Sequence, residues 1–170
     1  MLRWYLIHTK PCGEAIAQSN LRRQGYRVYL PRLLQSVRRR EGWRETVSPL
    51  FPRYLFLRLC EGEQSLGPVR STVGVSGIVR FGSHYAIVPD KVVGELYSRT
   101  DPASGLHRLL SRPDLKRGTP VTVTTGPFAG LEGVFEREAG DDRVLLLLHL
   151  LGQEASARVP VDFVRARYAA

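Results

Sequence analysis

The sequence predicts an α/β (α+β) N-terminal domain followed by a small β-barrel. Three observations point there. The first thirty residues read as strand, helix, strand. Breaker-rich stretches at Thr100-Asp101-Pro102-Ala103-Ser104-Gly105 and Ser111-Arg112-Pro113-Asp114 then divide the chain. Beyond Lys116, short strand candidates recur at regular intervals over about fifty residues, the spacing of a small barrel. The boundaries follow: residues 1–99, a linker over 100–115, and residues 116–170.

Each element has a local reason. Trp4 to Ile7 is β-prone, and Lys10-Pro11-Cys12-Gly13 turns the chain. Glu14 to Gln24 carries helical spacing, with Ala17 and Leu21 as its buried stripe and Gly25 placed to end it in a left-handed turn. Tyr26 to Leu30 is a second strand, stopped by Pro31. Leu33 to Val47 reads as a hairpin whose tip, Arg38-Arg39-Arg40-Glu41-Gly42-Trp43-Arg44, is basic with one tryptophan. That tip is either a solvated loop or a finger that reaches phosphate with arginine and stacks through Trp43.

Ser48 to Leu59 organises the first domain. Two prolines precede a run with period-two alternation, which puts Leu55, Leu57 and Leu59 on one face and Tyr54, Phe56 and Arg58 on the other. The leucine face is core. The second is a buried face under helices or a docking surface. Leu66 to Thr72 gives a short helix interrupted by Gly67 and Pro68, and Val75 to Phe81 a strand. Pro89 opens a helix as its first residue, with Val92, Val93, Leu96 and Tyr97 as the apolar face. Leu106, Leu109 and Leu110 suggest a short helical turn docking between the domains.

In the second domain, Val121 to Thr124 alternates, Gly126-Pro127-Phe128-Ala129-Gly130 turns, and Leu131 to Glu136 is a strand. Val144 to Leu151 is open: its length and leucine content favour helix, its neighbours strand. Ala157 to Val161 and Phe163-Val164 complete the domain.

At 170 residues, 43% hydrophobic and 24% charged, the chain has the composition of a folded domain or two small ones. Its net charge of +9 is carried by arginine, with Lys10, Lys91 and Lys116 the only lysines. Arginine forks onto phosphate and stacks on bases, so the surplus points to a polyanionic partner. Cys12 and Cys60 are isolated, which disfavours zinc or a disulfide framework and fits a reducing, cytoplasmic setting. The N-terminal apolar run is too short for a signal peptide, and Val144 to Leu151 too short for a membrane span. No phosphate-binding loop, zincin motif or nucleophile elbow is present, and the His8–Cys12 pair lacks an orienting third group. The expectation is a non-enzyme with no metal and no cofactor, acting as a monomer.

The motifs also carry a family likeness. Trp4-Tyr5, Leu50-Phe51-Pro52-x-Tyr54-Leu55-Phe56, Gly74-Val75 before Val79-Arg80-Phe81-Gly82, and Ile87-Val88-Pro89 resemble the NGN domain of NusG/Spt5-type transcription elongation factors. Gly118-x-x-Val121-x-Val123-x-x-Gly126-Pro127-Phe128-Ala129-Gly130 resembles their KOW domain. Within the family the likeness is greatest to the specialised RfaH-type paralogs, on Arg80-Phe81-Gly82 with Ala86 to Pro89, and on Arg143 leading into Leu145 to Leu151. The resemblance implies an antiparallel sheet flanked by helices, then a five-stranded barrel.

The resemblance also implies function. An elongation and antitermination factor of this kind binds the clamp helices of the largest RNA polymerase subunit and faces the gate loop of the other large subunit, suppressing pausing and termination. Tyr54 and Phe56, with Phe51, His8 and Phe81 as neighbours, would make that contact. Lys10, Asn20, Arg23, Gln24 and Thr72 would meet the non-template DNA strand, where an amide and a guanidinium suit base edges and Lys10 suits a phosphate. Phe128 and Leu151 would contact the partner of the KOW domain, ribosomal protein NusE or Rho, the former coupling transcription to translation. The rival readings are a housekeeping NusG-type factor and a KOW-containing ribosomal or RNA-binding protein.

RfaH-type chains fold the C-terminal domain as an α-helical hairpin that covers the docking face, through an acid–arginine link. Here Arg143 matches the arginine, Ser48 stands in the acid's place, and Pro127 would lie inside the first helix, where proline costs roughly 3 kcal/mol. Val73, Ile16 and Ser65-Leu66-Gly67 also depart from the RfaH-type pattern. The β-barrel is therefore expected, and any cover of the docking face by a helical C-terminal domain is expected to be weak.

Overall fold

The computed structural model describes residues 1–109, 113–140, 142–150 and 153–167. The first domain runs β1 (Leu2–Thr9), α1 (Glu14–Arg23), β2 (Arg27–Tyr29), β3 (Arg32–Arg39), β4 (Gly42–Pro49), β5 (Tyr54–Cys60), α2 (Gly67–Arg70) and β6 (Val75–Ile78). It continues with β7 (Arg80–Phe81), β8 (His84–Tyr85), β9 (Ile87–Val88) and α3 (Asp90–Ser98). Its main sheet has the order β2-β5-β1-β6, with β9 also pairing β1. The central pair is antiparallel, with His8 opposite Tyr54 and Tyr5 opposite Leu57.

Both faces of this sheet are covered, which is why β1 is apolar almost throughout rather than alternating. Leu55, Leu57 and Leu59 pack with Tyr5, Ile7, Ala17, Leu21 and Val69 beneath α1 and α2. Trp4, Leu6 and Phe56 pack on the other side with Val93 and Leu96 of α3. The hairpin β3–β4 stands apart as its own two-stranded sheet, and Trp43 at its tip is 71% exposed.

The second domain contains β10 (Pro120–Val123), β11 (Glu132–Glu138), β12 (Arg143–Leu150), β13 (Gln153–Pro160), a 3₁₀ turn (Val161–Phe163) and β14 (Val164–Ala166). Their order is β13-β12-β11-β10-β14, all antiparallel: a five-stranded barrel. The leucine-rich run is a strand. Val144, Leu146 and Leu148 point into the core, while Leu145 and Leu147 are half-buried. Alternation decided by strand partners overrides the helix-favouring leucine content.

Three local expectations are corrected. Pro89 is the N-cap of α3, not its first helical residue. Tyr97 is 47% exposed, because the apolar stripe of a two-and-a-half-turn helix ends with Leu96. The segment around Leu106 is extended, not helical: His107 forms a bridge to Leu33, its N–H donates to Arg32 O at 2.8 Å, and its carbonyl accepts from Leu34 N at 2.9 Å. Pairing with the exposed edge of β3 satisfies those backbone groups, which three leucines alone could not signal. Leu110 lies outside the described residues.

Candidate functional site

The Ser48–Leu59 stretch is held by its backbone. Arg53 takes φ 71°, rare for a side-chain-bearing residue. Its N–H donates to Glu14 Oε1 at 2.8 Å, its carbonyl accepts from Thr9 N at 2.8 Å, and its Nε donates to Thr9 O at 3.2 Å. This clamp between β1 and the first turn of α1 fixes the Phe51–Tyr54 turn, where Tyr54 N also bonds Phe51 O.

The Tyr54 end of the second face of β5, with the turn before it, lies under the barrel. Phe51 is fully buried, its ring meeting Phe128 at 6.3 Å and Phe163 at 5.9 Å between centroids. Tyr54 sits edge-on to Phe128 at 5.3 Å and against His8 at 5.1 Å. Such pairs contribute roughly 0.5–1.5 kcal/mol each beyond area burial. Burial raises the Tyr54 phenol, with Arg53 opposing, and lowers the His8 imidazole, with Arg53 assisting. Phe81 is half-buried at the rim of a 390 Å³ cleft between Tyr54, Arg80 and the barrel residues Leu148 and Ala155.

Phe56 lies one layer deeper. It is fully buried, stacked on Tyr29 at 5.9 Å and edge-on to Phe51 at 6.4 Å. Its place is core support for the face, with Phe51 and Tyr54 as the layer the barrel touches.

A single arginine pins the barrel. Arg143 is 4% exposed; its Nε donates to Leu50 O at 3.1 Å and its terminal nitrogens to Gln35 Oε1 at 3.2 Å, Ser48 Oγ at 3.1 Å and Pro49 O. These four acceptors are neutral. Arg99 adds a cation–π contact to Phe163 at 5.5 Å. Two of the four acceptors, Leu50 O and Pro49 O, are backbone carbonyls, which are silent in sequence, so the barrel is held although Ser48 brings no charge.

Lys10, Asn20, Arg23, Gln24 and Thr72 do come together where α1 meets the turn over residues 72–74. Asn20 Nδ2 donates to Val73 O at 3.2 Å, Arg23 to Asn20 Oδ1 at 2.6 Å, and Gln24 Nε2 to Thr72 Oγ1 at 2.9 Å. Lys10 joins through its N–H to Gly74 O at 2.8 Å. Thr72 is buried and its hydroxyl donates to Pro68 O at 3.0 Å, so it braces the patch from within. Val73, 70% exposed, and Ile16, 53% exposed, flank the group. Phe128 is buried against the first domain, and Leu151 lies outside the described residues.

Two participants carried no sequence signal. Phe163 sits far from Phe51 in the chain and Tyr29 far from Phe56, and only the fold brings each pair together. Among the described residues there is no group of three or more His, Cys, Asp or Glu that could hold a metal, and no helix is long and apolar enough to cross a membrane.

His107 yields a prediction. It is 3% exposed, its Nε2 is 3.4 Å from the Tyr29 hydroxyl, and burial, with Arg99 nearby, lowers its pKa to about 4. The folded state holds the neutral ring, so stability is full above the unfolded value near 6.5 and falls as pH drops towards 4. The loss approaches ~3 kcal/mol. Urea midpoints between these pH values should fall more steeply for the wild type than for His107→Gln; parallel curves refute the assignment.

Residues 2–97 match the family model described as "NusG: Transcription termination factor nusG". The chain belongs to the NusG family. It is 28% identical over 171 residues to the "Transcription termination/antitermination protein NusG" of Staphylococcus aureus strains Mu50 and N315, covering 94% of this chain and 93% of those proteins. Among solved structures, "Domain interaction in Thermotoga maritima NusG" matches at TM-score 0.45 and 19% identity, covering 98% of this chain and 97% of that one. Conformation A of the MjSpt4:Spt5 complex matches at TM-score 0.28 and 15% identity, over 96% and 97%. NusG-family chains are transcription termination/antitermination factors, not enzymes.

Proposed function

We propose that this NusG-family chain is a transcription elongation and antitermination factor that docks on RNA polymerase through the Phe51–Tyr54 face, and that the barrel gates that docking. The observation that carries the reading is the cover itself: Tyr54 and Phe51 meet Phe128 and Phe163 of the barrel. Aromatic side chains grouped on one rigid turn are what a protein-docking centre requires. The target is the clamp-helix pair of the largest subunit, with His8 and Phe81 as neighbours of that contact, and the domain faces the gate loop of the other large subunit. The same opening would free Phe128 for NusE or Rho, and the Lys10–Asn20–Arg23–Gln24 patch would lie towards the non-template strand. Such a factor works in the cytoplasm.

Tyr54→Ala tests the docking face. It should lower polymerase affinity at least tenfold while the amide spectrum of the protein stays native. Undiminished binding by the folded variant sinks the assignment. A barrel that must be displaced favours recruitment at chosen sites, as in RfaH-type paralogs. The names borne by the Staphylococcus aureus relatives favour a general factor instead. Mapping occupancy along genes separates them: a few long operons for the first, all transcribed genes for the second.

A further inference from the structure

The side of the first domain formed by β2 and the end of α3 has no part in the docking face, yet it carries an ordered aromatic column. Phe56 lies fully buried at its base. Tyr29 stacks above it at 5.9 Å and 28°, and Tyr97 stacks on Tyr29 at 4.0 Å and 21°. Tyr97 remains 47% exposed at the outer end. One ring face rests on Tyr29, and close to half of the residue stays accessible to solvent.

Positive charge flanks that end. Arg27 and Tyr29 are two apart on the edge strand β2 and so share a face, opposite Arg58 and Phe56 of β5. Arg22 is anchored nearby by donating to Val28 O at 3.3 Å. Burial raises the Tyr97 phenol, and the cations Arg27 and Arg22 both pull it back, which places them within electrostatic reach of the ring. Both are exposed, and among the described residues neither has an ion pair with a carboxylate. Arg58 is different: it pairs with Asp90 at 3.8 Å and lies over Trp4.

We propose that Tyr97 is a stacking platform for a base of single-stranded nucleic acid, with Arg27 and Arg22 holding the flanking phosphates. An open aromatic face supported from behind loses little entropy on receiving a base, and every base has a π-face to offer. Guanidiniums without a carboxylate partner beside it supply the backbone contacts. A duplex keeps its bases stacked internally and has none to give. The surface is distinct from the Lys10–Asn20–Arg23–Gln24 patch, and it does not depend on the polymerase reading.

The test uses the full-length protein without polymerase and fluorescein-labelled oligo(dT) and oligo(U) of about twelve nucleotides. Anisotropy titrations are run across a salt series. Tyr97→Leu keeps apolar bulk on Tyr29 but removes the π-face, and should weaken binding about tenfold. Tyr97→Phe keeps it and should bind as wild type. Arg27→Gln should flatten the log–log salt slope by about 0.7. Trp43→Ala, at the hairpin tip, should change nothing. A 5-iodouracil oligonucleotide should photo-crosslink to Tyr97, a readout that needs no variant to fold. Wild-type affinity in Tyr97→Leu, loss in Tyr97→Phe or Trp43→Ala, or a crosslink elsewhere would overturn the proposal. Equal competition by duplex DNA or polyglutamate, or no binding at all, would do the same.

Discussion

Replacing Arg143 with alanine should release the barrel from the first domain without unfolding either. The guanidinium is almost wholly buried and donates to acceptors from both strands of the β3–β4 hairpin and from the turn that follows. Hydrogen bonds from a charged donor contribute about 1.5–3 kcal/mol each and do not add fully. Loss of the set should shift the closed–open balance by ~3 kcal/mol, roughly a hundredfold. Inside the barrel Arg143 starts a strand at the rim, so its removal spares the Val144, Leu146 and Leu148 core. In amide spectra the resonances of Phe51, Tyr54, Phe128 and Phe163 should move together, and tumbling should quicken as two domains become independent. Arg143→Lys, with a single ammonium in place of a fork, should fall between. Unmoved Phe51 and Phe128 resonances in Arg143→Ala would mean that the aromatic contacts hold the barrel unaided.

Which parts of this were legible beforehand follows from the range of the interactions. Period-two spacing placed Leu55, Leu57 and Leu59 in the core, because a strand's side-chain alternation is a local property. That alternation also sets Tyr54, Phe56 and Arg58 on the other face but does not rank them by depth. Depth depends on Tyr29 and α3 for Phe56 and on Phe128 for Tyr54, and those partners are remote in sequence. The run from Val144 to Leu151 is undecidable alone for a related reason: over Val144 to Leu150, pairing with β11 and β13, not composition, selects the strand. Pro127 and Ser48 speak against a helical cover of the docking face, but they say nothing about a cover by the barrel. Two of the acceptors that hold Arg143 are main-chain carbonyls, of Pro49 and Leu50, whose aim no residue name encodes.

Gly133→Ala should cripple the barrel, and it separates the two possible folds of the second domain. Gly133 in β11 faces β12, and a Cβ there would sit 2.1 Å from Leu147 O and 3.0 Å from its carbonyl carbon. That neighbour is backbone in the ladder between the two strands, so relief requires parting β11 from β12. Overpacking of this kind costs typically about 1–3 kcal/mol, and more where backbone must move. A helical hairpin would respond with the opposite sign, since alanine in a helix interior is favoured over glycine by about 1 kcal/mol. The urea midpoint of the second domain, followed by the amide signals of Val144 to Leu148, reads the sign directly. A fall identifies the barrel as the working fold; a rise, with helical shifts over Val121 to Glu136, would overturn it. The variant also tests the gate: with the barrel unfolded, Phe128 and Arg143 lose their seats, and the Phe51–Tyr54 face should become open to polymerase although no residue in it has changed.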